Sequence, residues 1–175
     1  MRHTRIILGC ILALGVGLFA LGGVGHNDEV SYFAEAESLP GQASVNIQNT
    51  GGFRRYFGLV GLRRYGPPFE LYIDFQIPSG ASSVVLRDLE VLDGNRTVFG
   101  VDRADLPVSV VTVLSGGERT HEELASYHAV ETFALSTEVA TVKGSLAYEA
   151  ADGIVEVSFS QQFKRNHEHG FFTGL

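Results

Sequence analysis

The feature that most constrains the fold is a nine-residue stretch, Phe69–Ile77, in which apolar and polar residues alternate without a break. Successive side chains of an extended chain point to opposite faces, so the stretch places its apolar residues on one side. This period of two predicts a β-strand with one face in the core and the other in solvent. The apolar positions are Phe69, Leu71, Ile73, Phe75 and Ile77.

Strand patterns separated by turn signals continue along the rest of the chain. Residues 154–163 alternate in the same way, and Asp93-Gly94-Asn95 is typical of a hairpin turn. The stretch Thr120–Tyr127 instead predicts a short helix, because it begins with a capping box. Roughly eight or nine short strands without βαβ alternation predict an all-β domain.

The fold class that this pattern favours is an antiparallel β-sandwich, immunoglobulin-like or transthyretin-like, after an N-terminal hydrophobic helix. A small β-barrel is the alternative, and it would enclose a ligand cavity. Sequence periodicity does not distinguish the two, because both alternate inward and outward residues along each strand.

An unbroken apolar run, Ile6–Gly25, follows the basic residues Arg2 and Arg5. A helix of this length is about 30 Å long, enough to cross a hydrocarbon core. The same pattern is typical of a secretory signal peptide, so a cleaved leader and an uncleaved transmembrane anchor are both open. In either case the positive end stays in the cytoplasm. We expect the rest of the chain on the periplasmic or extracellular face of the cytoplasmic membrane, or secreted if the leader is cleaved.

The run also sets the expected domain organisation. Residues 1–25 form the signal peptide or anchor, and residues 26–40 form a juxtamembrane segment. Residues 41–163 form the β-sandwich domain, and residues 164–175 form a polar tail that caps an edge or stays loose. The single cysteine, Cys10, lies inside the run, so the exported domain cannot form an internal disulfide. A domain of this size can bury a core that is stable without one.

The charge of the exported part limits its partners. After the run the chain carries all 20 acidic residues and 11 of the 13 Lys and Arg, a formal net charge of −9. Nucleic acid is excluded as a partner, since its binding depends on neutralising phosphates. We expect contact with the membrane through the N-terminal run if it is uncleaved, and with an envelope protein of unknown identity.

A repeated triplet, Arg-Arg-Tyr, is the most distinctive exported motif. Its copies start nine residues apart, and in a continuous strand this odd offset would put them on opposite faces. They share a face only if a turn or bulge intervenes at Gly58 or Gly61. A basic, aromatic patch could bind lipid phosphates or an acidic partner, whereas the alternative is pairing with the chain's own carboxylates. The candidate binding residues are Arg54, Arg55, Tyr56, Arg63, Arg64 and Tyr65.

Histidines offer weak candidates for a metal site. In an extended strand His167 and His169 lie on the same face and could hold Zn²⁺ or Cu²⁺. His121 and His128 would be about 10 Å apart on a helix, too far for one ion. The zinc-protease pattern HExxH fails at Ala125. We therefore predict no cofactor.

Three small residues in the apolar run, Gly9, Ala13 and Gly17, lie four positions apart. This spacing allows two membrane helices to approach closely and predicts a packing face between them.

The sequence contains no pattern that indicates catalysis. It has no Gly-x-Ser-x-Gly nucleophile turn, no exported cysteine and no glycine-rich phosphate loop. We therefore expect a non-catalytic bacterial envelope protein that acts by binding a protein or an envelope component. The alternatives are a small-ligand or lipid carrier with an internal cavity and, less favoured, a metal-dependent hydrolase.

Overall fold

The computed structural model of the chain describes residue 7 and residues 10–17, 23–35, 43–56, 60–78, 80–101, 106–114 and 121–173. These residues form ten strands and one short helix at residues 10–17. The strands are β1 Val24–Ala34, β2 Ser44–Tyr56, β3 Val60–Ile77, β4 Ser82–Asp93, β5 Arg96–Val101, β6 Leu106–Pro107, β7 Ser109–Leu114, β8 His121–His128, β9 Val139–Ala150 and β10 Gly153–Thr173. The prediction of a predominantly β chain is confirmed.

The strands are hydrogen-bonded into one mixed sheet of order β5-β4-β9-β10-β1-β3-β8-β7, with β2 paired to β3 and β6 to β4. β4 runs antiparallel to β5 and β9, but β1 and β3 are parallel, with Val24 opposite Val60 and Glu29 opposite Tyr65. The prediction of a purely antiparallel sheet is wrong at this pair. The described strands form one sheet rather than two, so the sandwich is not confirmed.

The chain divides into two compact units. The smaller unit comprises Met1–Val30, Gly51–Gly66 and His167–Leu175. The larger unit comprises Ser31–Thr50 and Pro67–Asn166.

The core of the larger unit contains the alternating residues of β3. Phe69, Leu71 and Ile73 are fully buried, and Phe75 and Ile77 are nearly so. The polar residues between them are half-buried rather than fully exposed. The ring of Phe75 packs edge-on against Phe159 of β10, at 5.3 Å between centroids. The prediction that one face of this strand lies in the core is confirmed.

Two segments differ in secondary structure from the sequence prediction. The stretch predicted as a helix, Thr120–Tyr127, lies largely in strand β8, which pairs with β3 and β7 on its two sides. Hydrogen bonds to two neighbours outweigh the local helix signal, so the helix prediction is wrong. The C-terminal residues 164–173, predicted as a tail, continue strand β10 as far as Thr173.

The apolar run is described at residue 7 and at residues 10–17. Ala13 and Gly17 are exposed there, and Gly9 lies outside the described residues. Within the part of the chain that the structure describes, no helix combines the length and apolar character needed to cross a membrane.

Candidate metal centre and arginine cleft

The smaller unit brings imidazole and carboxylate groups together on one face of its sheet. His26 and Asp28 are two positions apart on β1, and His167 and His169 are two positions apart on β10. Residues with this spacing share a face of a strand, and β10 lies beside β1 in the sheet. Residues 139 positions apart in sequence, Asp28 and His167, therefore meet directly.

Asp28 lies at the centre of the metal cluster, which we define as Asp28, His167 and His169. Its Oδ1 atom is 2.8 Å from Nε2 of His167 and 4.0 Å from Nδ1 of His169. All three candidate ligand atoms lie within 4.8 Å of one another. The side chains of His167 and His169 are 49% and 64% exposed, so an ion and its bound water can reach them. Imidazole and carboxylate groups are ligands that Zn²⁺ and Cu²⁺ accept.

The electrostatics of the cluster keep Asp28 ionised. The hydrogen bond from His167 is the main cause that lowers the pKa of the Asp28 carboxyl below its usual value. Desolvation opposes this effect, while electrostatic attraction to His167, Arg64 and His169 adds to the lowering. Asp28 is therefore a carboxylate at neutral pH, the form that binds a cation.

His26 supports the cluster from the side. Its Nδ1 atom is 3.0 Å from the carbonyl oxygen of Gly170, and because a carbonyl only accepts, Nδ1 is the donor. Its ring packs edge-on against His169 at 4.5 Å and beside Phe171 at 5.2 Å. These contacts hold the rings of His26 and His169 against each other.

The two Arg-Arg-Tyr triplets lie on neighbouring strands. Arg54, Arg55 and Tyr56 end β2, and Arg63, Arg64 and Tyr65 lie near the start of β3. Of the first triplet, Arg54 and Tyr56 are exposed, and the Arg55 side chain lies outside what the structure describes. In the second, Arg63 and Arg64 are exposed, and Tyr65 is half-buried.

Neighbouring arginines of the second triplet have different surroundings. Cζ of Arg63 lies 4.4 Å from the centroid of the Phe172 ring, a cation–π contact. Arg64 is opposite Asp28 in the β1–β3 pairing, and its Nε atom is 4.0 Å from Oδ2 of that residue. Arg64 therefore shares a face with the metal cluster, whereas Arg63, one residue earlier, lies on the other face.

Arg64 and Arg54 line the same cleft, which we call the arginine cleft. It has a volume of about 470 Å³ and is lined by Gly51, Gly52, Arg54, Leu62 and Arg64. A methyl group at Gly51 would overlap the backbone of Arg64 and Tyr65, so only glycine lets β2 approach β3 this closely. The repeat thus brings one arginine from each copy together.

The other histidine pair, His121 and His128, is too widely separated to share one metal ion. His121 and His128 are the two ends of β8, so about 3.3 Å per residue over seven residues separates them by roughly 23 Å. His128 instead stacks on Tyr72 at 4.2 Å and lies 3.5 Å from a carboxylate oxygen of Glu70. The separation of about 10 Å expected for a helix is wrong, because this segment is a strand.

The larger unit has a separate cavity of about 590 Å³. Its lining combines apolar residues, including Phe99, Val101 and Leu106, with polar ones such as Ser126 and His128. This volume suits a small organic ligand.

Sequence reasoning identified the two histidines of the metal cluster but missed Asp28 and His26. Both lie at residues 26–40, which the sequence suggested was a juxtamembrane segment. Their spacing of two, matching that of His167 and His169, was the available signal, but it acquires meaning only once β1 is known to lie beside β10. Comparison with known proteins finds no matching family model, curated protein or solved structure.

Proposed function

We propose that this protein is an exported, non-catalytic protein of the bacterial envelope that binds a divalent transition-metal ion, Zn²⁺ or Cu²⁺, at the metal cluster. The observation that carries the proposal is the meeting of two imidazoles and an ionised carboxylate, with ligand atoms within 4.8 Å of one another. Export rests on the basic residues and apolar run at the N-terminus. For the architecture, the β-sandwich and its alternative, a small β-barrel, both remain proposals.

The distances in the cluster suit an ion after small side-chain rotations. Zinc with bonds of about 2.0–2.2 Å holds tetrahedral ligand atoms about 3.4 Å apart. The separation of Asp28 Oδ1 from His167 Nε2 must lengthen from 2.8 Å, and that from His169 Nδ1 must shorten from 4.0 Å. Exposed side chains can make both adjustments.

Three protein ligands leave at least one coordination position for water or for a group from a partner. The proposed activity is therefore binding: the ion is held on the surface, where an envelope component can complete its coordination. The exposure of His169, at 64%, supports this arrangement.

We expect the full-length chain, without a histidine tag, to bind one Zn²⁺ per chain by isothermal titration calorimetry. His167→Ala and His169→Ala should each weaken binding at least tenfold, because losing a ligand costs no less than losing a group that orients one. The double variant should show no measurable binding.

His128→Ala is the matched control, since it removes an exposed histidine from the larger unit. It should bind Zn²⁺ like the unmodified chain. Absence of heat with the unmodified chain, or unchanged affinity in the double variant, would contradict the metal proposal.

A second candidate function, a small-ligand carrier, is favoured by the cavity of the larger unit. Its volume of about 590 Å³ and its mixed lining suit an apolar molecule with a few polar groups. The charged side chain of Glu131 also lines it, which favours a ligand with a hydrogen-bond donor.

If the cavity is a ligand site, an apolar fluorophore should bind saturably at one site per chain. Phe99→Ala should weaken its binding by about tenfold or more, since an aromatic wall of the cavity is lost. Phe33→Ala removes an aromatic ring that is 58% exposed and outside the cavity, and should leave the titration unchanged. Non-saturable binding, or equal effects of the two variants, would count against a carrier.

A further inference from the structure

We infer that the arginine cleft binds a phosphate-type oxyanion, with Arg54 and Arg64 as its cationic contacts. The inference rests on the cleft and not on the metal cluster, so it goes beyond the proposed function. Its starting point is that two arginines from separate strands line one cavity of about 470 Å³.

The charge of the cleft is positive on an acidic chain. Arg54 forms no ion pair with any side chain that the structure describes. Arg64 has one such pair, with Asp28 at 4.0 Å, and its own side chain is 81% exposed. An exposed pair at this distance contributes little, so Arg64 is available to a stronger anion. The alternative suggested by the sequence, pairing with the chain's own carboxylates, therefore accounts for Arg64 only weakly and for Arg54 not at all among the described groups.

The shape of the cleft suits a compact anion. A guanidinium group offers parallel N–H donors that match two oxygens of a phosphate group. Gly51 and Gly52 contribute no side chains to the lining, and a methyl group at Gly52 would meet no atom within 4 Å. An oxyanion in the cleft can therefore approach the backbone of β2 at Gly52.

Asp28 limits the affinity of the cleft in this arrangement. Its carboxylate and the bound oxyanion compete for the same guanidinium group of Arg64. Removing the negative charge at Asp28 should then strengthen anion binding, an effect opposite in sign to that of removing either arginine. A merely structural role of the three residues does not predict this pattern.

The phosphate group could belong to free phosphate or to a lipid headgroup, which present the same oxygens. The exported side of a membrane offers both, and the two sources differ in what surrounds the phosphate. A soluble, short-chain phosphatidate carries the headgroup without a bilayer and can be compared directly with inorganic phosphate.

The test is a calorimetric titration of the full-length chain with inorganic phosphate and, separately, with short-chain phosphatidate, in EDTA so that no metal ion contributes. Arg54→Gln and Arg64→Gln should each lower the affinity by about tenfold or more. Asp28→Asn should raise it by about two- to fivefold. The matched control is Arg96→Gln, which removes an exposed arginine of the larger unit and should change nothing.

Binding of either ligand supports the arginine cleft as an anion site. If short-chain phosphatidate binds more tightly than phosphate, the ligand is a lipid headgroup; if phosphate binds more tightly, the ligand is free phosphate. Absence of binding by both ligands overturns the inference, as does equal affinity of Arg54→Gln, Arg64→Gln and Arg96→Gln. Since the titration is carried out in EDTA, its failure leaves the zinc experiment unaffected, and failure of the zinc experiment leaves this titration unaffected.

Discussion

Replacing Phe69 by alanine is expected to lower the free energy of unfolding by about 3–5 kcal/mol. The side chain is fully buried, its ring packs edge-on against Tyr32 at 5.4 Å, and it lies 6.5 Å from the ring of Phe133. Removal leaves a cavity between these rings, so both the burial of the removed atoms and the packing of their neighbours are lost. Urea denaturation followed by circular dichroism measures the change.

The backbone at Phe69 makes the site difficult to repack. Its N–H donates to the carbonyl of Phe133 at 2.7 Å, and its carbonyl accepts from the N–H of Phe133 at 3.0 Å. These hydrogen bonds fix the two backbone segments around the lost ring, which favours an unfilled cavity over collapse.

The exposed Phe33 provides the control for this core prediction. Phe33→Ala removes a ring that is 58% exposed and should change the unfolding free energy by no more than about 0.5 kcal/mol. Similar losses in the two variants would mean that burial of the β3 face does not determine the stability of the chain.

Local pattern was sufficient for the core because burial of a strand face depends on alternation alone. The five apolar positions of Phe69–Ile77 are all buried, and the same rule holds at Phe159 and Phe163 of β10. No knowledge of neighbouring strands is needed to decide which side of such a strand faces inward.

Strand pairing could not be predicted in the same way, because alternation does not say which strand lies beside which. β1 and β3 pair in parallel, although the whole of β2 lies between them in the sequence. The capping box predicts a helix for the residues of β8, yet these residues pair with β3 at Tyr72↔His128 and with β7 at Ser109↔Ser126. In both cases contacts distant in sequence determine the structure.

The same limit explains what was missed at the candidate site. Spacing predicted that His167 and His169 share a face, but their third partner, Asp28, comes from a strand at the other end of the chain. Similarly, the repeat suggested six candidate residues, whereas among the side chains that the structure describes the cleft contains Arg54 and Arg64. Residue type was readable from sequence, and residue proximity was not.

Asp93 lies at a hairpin turn and has a second role that the sequence did not indicate. The predicted hairpin is confirmed: β4 ends at Asp93, β5 begins at Arg96, and Gly94 has a φ of +61°. The carboxylate of Asp93, however, is buried and accepts hydrogen bonds from Ser136 and Thr137, which precede β9.

Residues of other strands also form hydrogen bonds with Ser136 and Thr137. Tyr32 of β1 donates its hydroxyl hydrogen to the carbonyl of Thr137 at 2.5 Å, and desolvation raises the pKa of that phenol to about 12. Arg165 of β10 donates to the carbonyl of Ser136 at 3.2 Å. Of the three residues that contact this segment, Tyr32, Arg165 and Asp93, only Asp93 is negatively charged. We therefore expect its loss to lower the stability of the chain most.

Four hydrogen bonds converge on the Asp93 carboxylate. Oδ2 accepts from the backbone N–H and the hydroxyl of Ser136, at 3.0 and 2.6 Å. Oδ1 accepts from the backbone N–H and the hydroxyl of Thr137, at 2.8 and 2.6 Å. Desolvation by itself raises the pKa of Asp93, but these hydrogen bonds outweigh it, so the pKa lies below its usual value of 3.8.

Asp93→Asn is expected to lower the free energy of unfolding by about 2–4 kcal/mol at neutral pH. Asparagine has nearly the same shape, but its amide nitrogen cannot accept from a backbone N–H and a hydroxyl, so those donors lose their partner. Urea denaturation at pH 7 measures the loss. Asp152→Asn, at an exposed turn between β9 and β10, is the matched control and should cost no more than about 0.5 kcal/mol.

The stability difference between the unmodified chain and Asp93→Asn should itself depend on pH. Because the folded-state pKa of Asp93 is depressed, its contribution is fully present above the unfolded value near 3.8 and is lost as the pH falls through the folded value. The difference in unfolding free energy should thus be constant from neutral pH to about pH 5 and shrink below about pH 4. A difference that stays constant or grows on acidification would show that the Asp93 charge is not what holds Ser136 and Thr137 in place.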